Sequence, residues 1–229
     1  QRETGATFIH PFNDPHVIAG QGTIGLEILE DLEDVEVVVA AIGGGGLISG
    51  IATALKELKP SIKVIGVQAA NAASMKASID RGAITTISSA KTLADGIAVK
   101  TPGDLTYRIV NKYVDDIVTV TEEEIANAIL MFLERTKLIV EGAGAVPIAA
   151  LINKKINIQG KKVVAVLSGG NIDVNIIAQI IERGLVKAGR KIKIKTKIED
   201  RPGQLYQLLG LIAQAGANVI SIYHDRHKA

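Results

Sequence analysis

Residues 35–51 read VEVVVAAIGGGGLISGI and are the most informative stretch of this chain. A run of apolar, mostly β-branched residues enters four consecutive glycines, residues 43–46, and a helix is expected to begin near Ser49. Consecutive glycines destabilise a helix or strand interior, because each loses more backbone freedom on folding than any other residue. They suit a loop whose N–H groups converge on an anion, where the next helix adds free N–H groups and its positive dipole end. The stretch therefore predicts a phosphate site.

The residues around the loop narrow the class of phosphate-bearing ligand that it could bind. No Lys follows Gly46, so the loop is not the GxxxxGK[ST] cradle of a nucleoside triphosphate. A dinucleotide site would need an acidic residue at the end of the next strand, but that strand, residues 63–68, ends in Gln68. A purely structural alternative stays open, in which the glycines only let the helix pack close to the sheet.

A second candidate segment follows another apolar run, residues 162–167, and reads Ser168-Gly169-Gly170-Asn171. A serine at the carboxyl end of a buried strand lies where open α/β sheets bind their ligands. The alternative is an ordinary β-turn, which Ser, Gly and Asn all favour.

A third candidate segment, residues 141–147, reads EGAGAVP. Its small residues permit close approach of the backbone to a flat ligand or to a neighbouring helix. Glu141 follows the apolar residues 138–140, so we expect it at the end of a strand or loop, near buried surface. The alternative is a glycine-rich helix start, where a carboxylate interacts favourably with the helix dipole.

Together these segments resemble a known family. The motifs GGGGLISG, LADGIAV, VDDIVTVTEEEI, EGAGAVPIAAL and VLSGGN, in this order, are similar to the pyridoxal-phosphate enzymes of fold type II. The resemblance covers essentially the whole chain and is strongest to the threonine dehydratase (threonine ammonia-lyase) family, with serine racemase next. It implies that the cofactor's phosphate binds at Gly43, Gly44, Gly45, Gly46 and Leu47. It also implies that Ser168 contacts the pyridine nitrogen and that Gly169 and Glu141 line the cofactor pocket.

The same resemblance identifies family features that this chain lacks. Family members hold the cofactor as a Schiff base on a lysine in a Ser-Phe-Lys-x-Arg-Gly segment, and no such segment occurs here. The lysines lie in polar runs such as residues 154–155 and 161–162, which are typical of a solvated surface. We therefore expect the chain to be a carboxyl-terminal portion of a longer enzyme, with no catalytic residue of its own and no activity by itself.

A metal site is not expected. Serine racemase-like members bind a divalent cation through acidic residues at two positions where this chain has Gln68 and Ser74. The histidines are not spaced as metal ligands with a second cluster. A weaker monovalent ion, held by Asn71 and backbone carbonyl groups, is the alternative.

The resemblance implies an α/β fold, a parallel twisted sheet with helices on both faces, and the composition agrees with it. The 229 residues are 47% hydrophobic with a mean hydropathy of +0.27, which suits a buried parallel sheet. No apolar run reaches transmembrane length and no signal-peptide pattern opens the chain, so a cytoplasmic protein without membrane partners is expected. The net charge of +2 and the lack of a basic–aromatic stripe do not suggest nucleic-acid binding. With no Cys, disulfides and thiol catalysis are excluded for these residues.

A second module is predicted after Gly189. Residues 191–198 alternate Lys with Ile or Thr, the pattern of an amphipathic strand. The turn sequence DRPG precedes a predicted helix over residues 204–214, and residues 218–223 are predicted to form another strand. This order resembles the start of an ACT domain, a small regulatory fold that binds amino acids. The alternative is a generic βαβ edge.

Three boundaries follow from these predictions. We expect residues 1–188 to belong to the catalytic domain, within which residues 1–15 end the small domain. Residues 191–229 are expected to form a partial ACT domain.

The resemblance also implies an activity. It predicts part of an enzyme that converts L-threonine to 2-oxobutanoate and ammonia by β-elimination, with L-serine as a possible substrate. Isoleucine or valine is the expected effector at the ACT module, and a homo-oligomer, dimer or tetramer, is the expected assembly. Two alternatives stay open: a serine racemase or threonine synthase, and a non-catalytic fragment that only binds phosphate or amino acids.

Overall fold

The computed structural model describes residues 4–187 and 189–225 of the chain. Within them, the strands are β1 (Val37–Ala41), β2 (Lys63–Ala69), β3 (Asp116–Val120) and β4 (Val163–Ala165). The helices are α1 (Pro15–Asp31), α2 (Gly46–Leu58), α3 (Ser74–Arg81), α4 (Asp104–Tyr113), α5 (Glu122–Met131), α6 (Gly142–Ile152), α7 (Val174–Lys187) and α8 (Gln204–Gln214). Short 3-10 turns occupy Ala70–Ala72 and Asp95–Ile97, and a π-helical turn occupies Phe132–Thr136. None of the described helices is both long and apolar enough to cross a membrane.

The strands form one parallel sheet in the order β3-β2-β1-β4. Strand β1 lies between two neighbours, and every one of its residues is buried. This explains its sequence, because a parallel strand covered on both faces reads as a continuous apolar run rather than an alternating one.

Helices cover both faces of the sheet. Alternate residues of β1 belong to different cores, since successive side chains of a strand point to opposite faces. Val38 packs in the core that contains Ile48 and Ile51 of α2, whereas Val39 packs in the core that contains Ile125 of α5 and Val146 of α6. The predicted fold class, a parallel sheet with helices on both faces, is confirmed.

Helix α2 begins earlier than expected. The sequence indicated a start near Ser49, but the helix starts at Gly46, inside the glycine run. Gly45 is its N-cap and has a φ of 98°, a left-handed conformation that glycine adopts without a steric penalty. The glycines therefore form the turn and also supply the first helical residue.

The chain divides into two compact units, residues 1–188 and 189–229. In the second, α8 covers Gln204–Gln214, where a helix is predicted. The two flanking strand predictions are wrong, because residues 191–198 and 218–223 form no strand in the structure. No described backbone carbonyl accepts a hydrogen bond from the N–H groups of residues 192–198, and Ile192 is 74% exposed. Alternation alone does not make a strand, because a strand needs a hydrogen-bonding neighbour.

Candidate active site

The order of the strands creates a crevice at one edge of the sheet. The chain proceeds from β1 outward through β2 to β3, and β4 then pairs with the other side of β1. Val39 of β1 is in register with Ala165 of β4, so the loops that follow these two strands are neighbours. Such a switch point, at the carboxyl ends of parallel strands, is where open α/β sheets bind ligands.

A cavity of about 360 Å³ lies at this switch point. Its size is within the usual range of small-molecule sites. All the site residues predicted from the sequence line it, although they come from three separate segments: Gly43, Gly44, Gly45, Gly46, Leu47, Glu141, Ser168 and Gly169. The lining also includes Pro11, Phe12, Ala41, Gly96, Ile97, Val99 and Ala143.

The glycine loop presents unpaired backbone donors. The first helical hydrogen bond of α2 runs from Ser49 N–H to Gly45 O at 3.0 Å. No described residue accepts a hydrogen bond from the N–H groups of residues 43–48. Residues 44–46 are buried in the protein except where they line the cavity, so a ligand in the cavity can pair with these donors. Converging orphan N–H groups at the start of a helix fit a phosphate group.

The charge of the lining also favours a backbone-bound anion. Among the described residues that line the cavity, only Glu141 has an ionisable side chain. A phosphate here would therefore be held by N–H groups and the dipole of α2 rather than by a Lys or Arg.

Glu141 is the N-cap residue of α6 and lines the cavity together with the glycine loop. Its backbone N–H donates to Gly169 O at 3.3 Å. Its side chain makes no capping bond, so the carboxylate is not used to satisfy the helix start. Glu141 thus lies both at the end of a loop and at a helix start. Its neighbours Leu138 and Ile139 are exposed, and only Val140 before it is buried.

Gly169 makes room for the Glu141 carboxylate. A Cβ added at Gly169 would lie 2.1 Å from Glu141 Oε1, closer than atoms can approach. The φ of Gly169 is 94°, in the region that L side chains rarely adopt. The positive φ favours glycine at this position, and any larger residue would also displace the Glu141 carboxylate from its present place.

The environment raises the pKa of Glu141. Burial makes the largest contribution, because it disfavours the charged form, and the nearby negative charge of Asp95 acts in the same direction. A hydrogen bond with the backbone of Asn171 acts the opposite way. The carboxyl group therefore holds its proton to higher pH than an exposed glutamate does.

Two apolar residues that were not predicted as site residues also line the cavity. Phe12 lies in the segment before α1, and Ile97 lies in the 3-10 turn Asp95–Ile97. A Cβ added at Gly44 would lie 2.3 Å from Phe12 Cγ, and one added at Gly43 would lie 3.0 Å from Ile97 Cα. The glycines are thus packed against protein on one side while they line the cavity on the other. Ile97 belongs to the LADGIAV motif, but no local pattern indicated that it would contact Gly43 or that Phe12 would contact Gly44.

At the two positions where serine racemase-like members bind a divalent cation, this chain has side chains that are hydrogen-bonded within the protein. The amide of Gln68 donates to Ile42 O and Ala72 O, each at 3.3 Å, and accepts from Lys76 N–H at 2.8 Å. Ser74 Oγ donates to Val99 O at 2.7 Å. Among the described residues, no group of three or more His, Cys, Asp or Glu side chains could hold a metal ion.

Comparison with known proteins identifies the family. The family described as pyridoxal-phosphate dependent enzyme matches residues 1–169. The chain belongs to the pyridoxal-phosphate dependent enzymes. The family resemblance that the motifs indicated is thereby confirmed, and the family's cofactor carries a phosphate group. The match covers the glycine loop, Glu141 and Ser168.

Similar proteins narrow the position of this chain within the pyridoxal-phosphate dependent enzymes. It is 62% identical over 226 residues to an L-threonine ammonia-lyase from Thermotoga maritima, covering 99% of this chain and 56% of that protein. The structure resembles the processed form of threonine deaminase isoform 2 from Solanum lycopersicum, with a TM-score of 0.74 and 38% identity over 79% of this chain and 53% of that one. It also resembles maize serine racemase, with a TM-score of 0.72 and 36% identity over 82% of this chain and 59% of that one. The chain spans about half the length of the curated relatives it matches.

Proposed function

We propose that this chain is part of a threonine ammonia-lyase, which converts L-threonine to 2-oxobutanoate and ammonia and also acts on L-serine. The observation that carries the proposal is the convergence of the glycine loop, Glu141 and Ser168 on one cavity at the switch point of the sheet. The similarity to the Thermotoga maritima L-threonine ammonia-lyase supports the choice of reaction.

The glycine loop is proposed to bind the phosphate of pyridoxal phosphate. The N–H groups of Gly43, Gly44, Gly45, Gly46 and Leu47 have no acceptor in the part of the chain that the structure describes. Backbone donors at a helix N-terminus bind an anion without the cost of ordering a long basic side chain. The loop would fix the position of the cofactor and so orient its ring toward the rest of the cavity.

Ser168 is proposed to contact the pyridine nitrogen, with Gly169 and Glu141 beside the ring. When bound, pyridoxal phosphate supplies the electron withdrawal that makes the α-proton of an amino acid acidic enough for loss of the β-hydroxyl group. A serine hydroxyl does not hold the ring nitrogen protonated as a carboxylate would, which suits elimination. Burial and the charge of Asp95 raise the pKa of Glu141, so this carboxyl group beside the ring keeps its proton to higher pH than an exposed glutamate does.

A serine racemase is the second candidate. The observation in its favour is the similarity to maize serine racemase over 82% of this chain. The two reactions differ in their product, because racemisation returns an amino acid whereas the ammonia-lyase reaction releases a 2-oxo acid. Fold cannot separate them, since related enzymes share one scaffold.

We propose that residues 191–229 are part of an ACT-like regulatory module in a homo-oligomer, with isoleucine or valine as the effector. The sequence DRPG before α8 and the exposed apolar residues Ile192, Ile194 and Ile220 support this proposal. Exposed apolar side chains on an unpaired segment are stabilised when a neighbouring chain or element covers them. The catalytic domain is proposed to comprise residues 1–188, of which residues 1–15 end a small domain.

The proposal is tested by product analysis, with pyridoxal phosphate, of the longer enzyme of which this chain is proposed to be a portion; residues 1–229 alone should give no product. L-Threonine should give 2-oxobutanoate and L-serine should give pyruvate, whereas accumulation of D-serine without pyruvate would favour the racemase. Affinity for pyridoxal phosphate should exceed affinity for pyridoxal, which lacks the phosphate group. Equal affinity for the two would contradict the role of the glycine loop.

Gly46→Ala and Gly20→Ala provide a matched pair for this test. A Cβ at Gly46 would lie 2.9 Å from Phe12 Cα, whereas a Cβ at Gly20 has no neighbour within 4 Å. We expect Gly46→Ala to lose most of the preference for pyridoxal phosphate over pyridoxal and Gly20→Ala to keep it. Loss of the preference in both variants would point to a general effect on folding.

A further inference from the structure

The carbonyl group of Gly44 is anchored outside the cavity. Thr106 Oγ1, on α4, donates a hydrogen bond of 2.6 Å to Gly44 O. Thr106 is fully buried and does not belong to the lining of the cavity, whereas Gly44 and Gly45 do. The hydroxyl group therefore holds the Gly44–Gly45 peptide from the side away from the ligand.

This contact determines where the next N–H group points. In a trans peptide the C=O and N–H bonds point in opposite directions. Because Gly44 O is bound to Thr106, the N–H of Gly45 is directed away from Thr106, toward the cavity side. That N–H has no acceptor among the residues described in the structure.

The orientation needs such an anchor because the loop is made of glycine. Gly45 has φ 98° and ψ 0°, which are close to the values of the third residue of a type II turn. Rotating the Gly44–Gly45 peptide by about 180° converts this geometry into that of a type I turn, which glycine also accepts. The rotated peptide would turn the Gly44 carbonyl toward the cavity, where its negative end would repel a phosphate group.

Thr106 is itself held in place by a residue distant in sequence. Helix α4 has Gly103 as its N-cap and thus no side-chain cap of its own. Asn13 Oδ1 supplies one, accepting from Leu105 N–H at 3.0 Å and from Thr106 N–H at 3.4 Å. The Thr106 hydroxyl lies 3.2 Å from Gly103 O as a second acceptor, but the shorter bond is to Gly44.

We propose that Thr106 is a positioning residue of the phosphate loop, whose hydroxyl group fixes the Gly44–Gly45 peptide so that Gly45 N–H faces the anion. This inference rests on the proposed function, because it takes the glycine loop as the phosphate site. It adds a residue that touches neither the phosphate nor the cavity.

The test compares Thr106→Val with Thr106→Ser in the purified protein. Valine keeps the shape of threonine but has no hydroxyl group, and serine restores the hydroxyl group. Dissociation constants are measured for pyridoxal phosphate and for pyridoxal. For Thr106→Val we expect affinity for pyridoxal phosphate to fall about five- to tenfold, the range expected for one hydrogen bond, with no change for pyridoxal. Thr106→Ser should match the wild type.

The ratio of the two affinities separates positioning from a general structural role. If Thr106→Val lowers the affinity for both ligands by the same factor, or for neither, the inference is overturned. If the wild type itself fails to prefer pyridoxal phosphate over pyridoxal, the proposed function fails as well. If the wild type shows the preference and Thr106→Val retains it in full, only this inference fails.

A second measurement covers the case in which Thr106→Val does not fold. Inorganic phosphate is titrated into the wild-type protein, labelled with ¹⁵N, and the amide resonance of Gly45 is followed. A saturable shift of Gly45, competed by pyridoxal phosphate, is expected. Phosphate binding without a shift of Gly45 would overturn the inference.

Discussion

The ring of Phe12 lies on the backbone of Gly44, so close that a Cβ at Gly44 would be 2.3 Å from Phe12 Cγ. The turn that carries Phe12 is held by His10, whose Nδ1 accepts from the N–H groups of Phe12 at 3.3 Å and Asn13 at 3.0 Å. The rings of His10 and Phe12 also meet edge to face, with centroids 4.5 Å apart. The segment before α1 therefore closes one side of the glycine loop, and the requirement for glycine at position 44 depends on the residue at position 12.

The first prediction concerns this pair. Gly44→Ala should lower the free energy of unfolding by about 1–3 kcal/mol, the usual cost of overpacking, because the new methyl group overlaps the ring. In a Phe12→Ala background the cost should fall by more than half, since the ring is gone. A double-mutant cycle measured by urea denaturation gives the coupling.

Gly20→Ala is the control for this cycle, because a Cβ there meets nothing within 4 Å. It lies inside α1, where alanine is favoured over glycine by about 0.5–1 kcal/mol, so no destabilisation is expected. An equal cost of Gly44→Ala in both backgrounds would show that Phe12 does not cause it.

A second prediction concerns Ser168. If its hydroxyl group contacts the pyridine nitrogen, Ser168→Ala removes one hydrogen bond, worth about 1 kcal/mol, from pyridoxal phosphate and pyridoxal alike. Affinity for each should fall about fivefold, with their ratio unchanged. Equilibrium binding of both compounds measures this, with Ser89→Ala at an exposed loop position as the control. If only the affinity for pyridoxal phosphate fell, Ser168 would contact the phosphate group rather than the pyridine nitrogen.

The third prediction concerns the pH dependence of stability. The pKa of Glu141 is raised above the ordinary 4.5, mainly by burial, so the folded state binds this proton more tightly than the unfolded state does. The stabilisation is present below pH 4.5 and is lost as the pH rises through the pKa of the folded protein. Glu141→Gln removes this loss. Its melting temperature relative to the wild type should therefore increase as the pH rises.

The measurement is a series of melting curves without added cofactor, from below pH 4.5 to neutral pH. Glu30→Gln, at an exposed position of α1, is the control and should show no such trend. When Glu141→Gln is compared with its parent in an Asp95→Asn background, the increase with pH should be smaller. The charge of Asp95 contributes to the raised pKa of Glu141, and asparagine removes that charge. A difference between Glu141→Gln and the wild type that falls with rising pH would contradict the assigned direction.

The fourth prediction concerns residues 192–198. Their N–H groups donate to no described carbonyl group, so we expect their amides to exchange with solvent far faster than those of β1. Hydrogen exchange followed by mass spectrometry tests this on the purified protein. If the ACT-like proposal is correct, isoleucine or valine should slow exchange in residues 192–198. Unchanged exchange with either amino acid at saturation would remove the support for a regulatory site there.

Most of the structure around the glycine loop could be predicted from the local sequence. The apolar run and the four glycines predicted a strand, a loop and a helix, and the structure has them in that order. The start of α2 at Gly46 was not predictable to the residue, because it depends on the left-handed conformation of Gly45. Glycine permits that conformation but does not require it.

The contacts of Gly44 could not be predicted from the neighbouring sequence. Phe12 and Thr106 lie far from Gly44 along the chain, and neither carries a motif that indicates the contact. They reach the loop because α1 and α4 both pack with α2 on the same face of the sheet. Packing of this kind depends on the whole chain, so no window of neighbouring residues encodes it.

By itself the sequence determined the strand, loop and helix around the four glycines and the helix over residues 204–214, since backbone preference and hydrophobic period depend on near neighbours. It thereby indicated a phosphate loop after β1 and a serine after β4. Only the tertiary structure decided that β4 pairs with β1, which brings Ser168 and Glu141 to the glycine loop. It also decided that residues 191–198 form no strand, because a strand requires a partner for its N–H and C=O groups, and alternation of Lys and Ile supplies none.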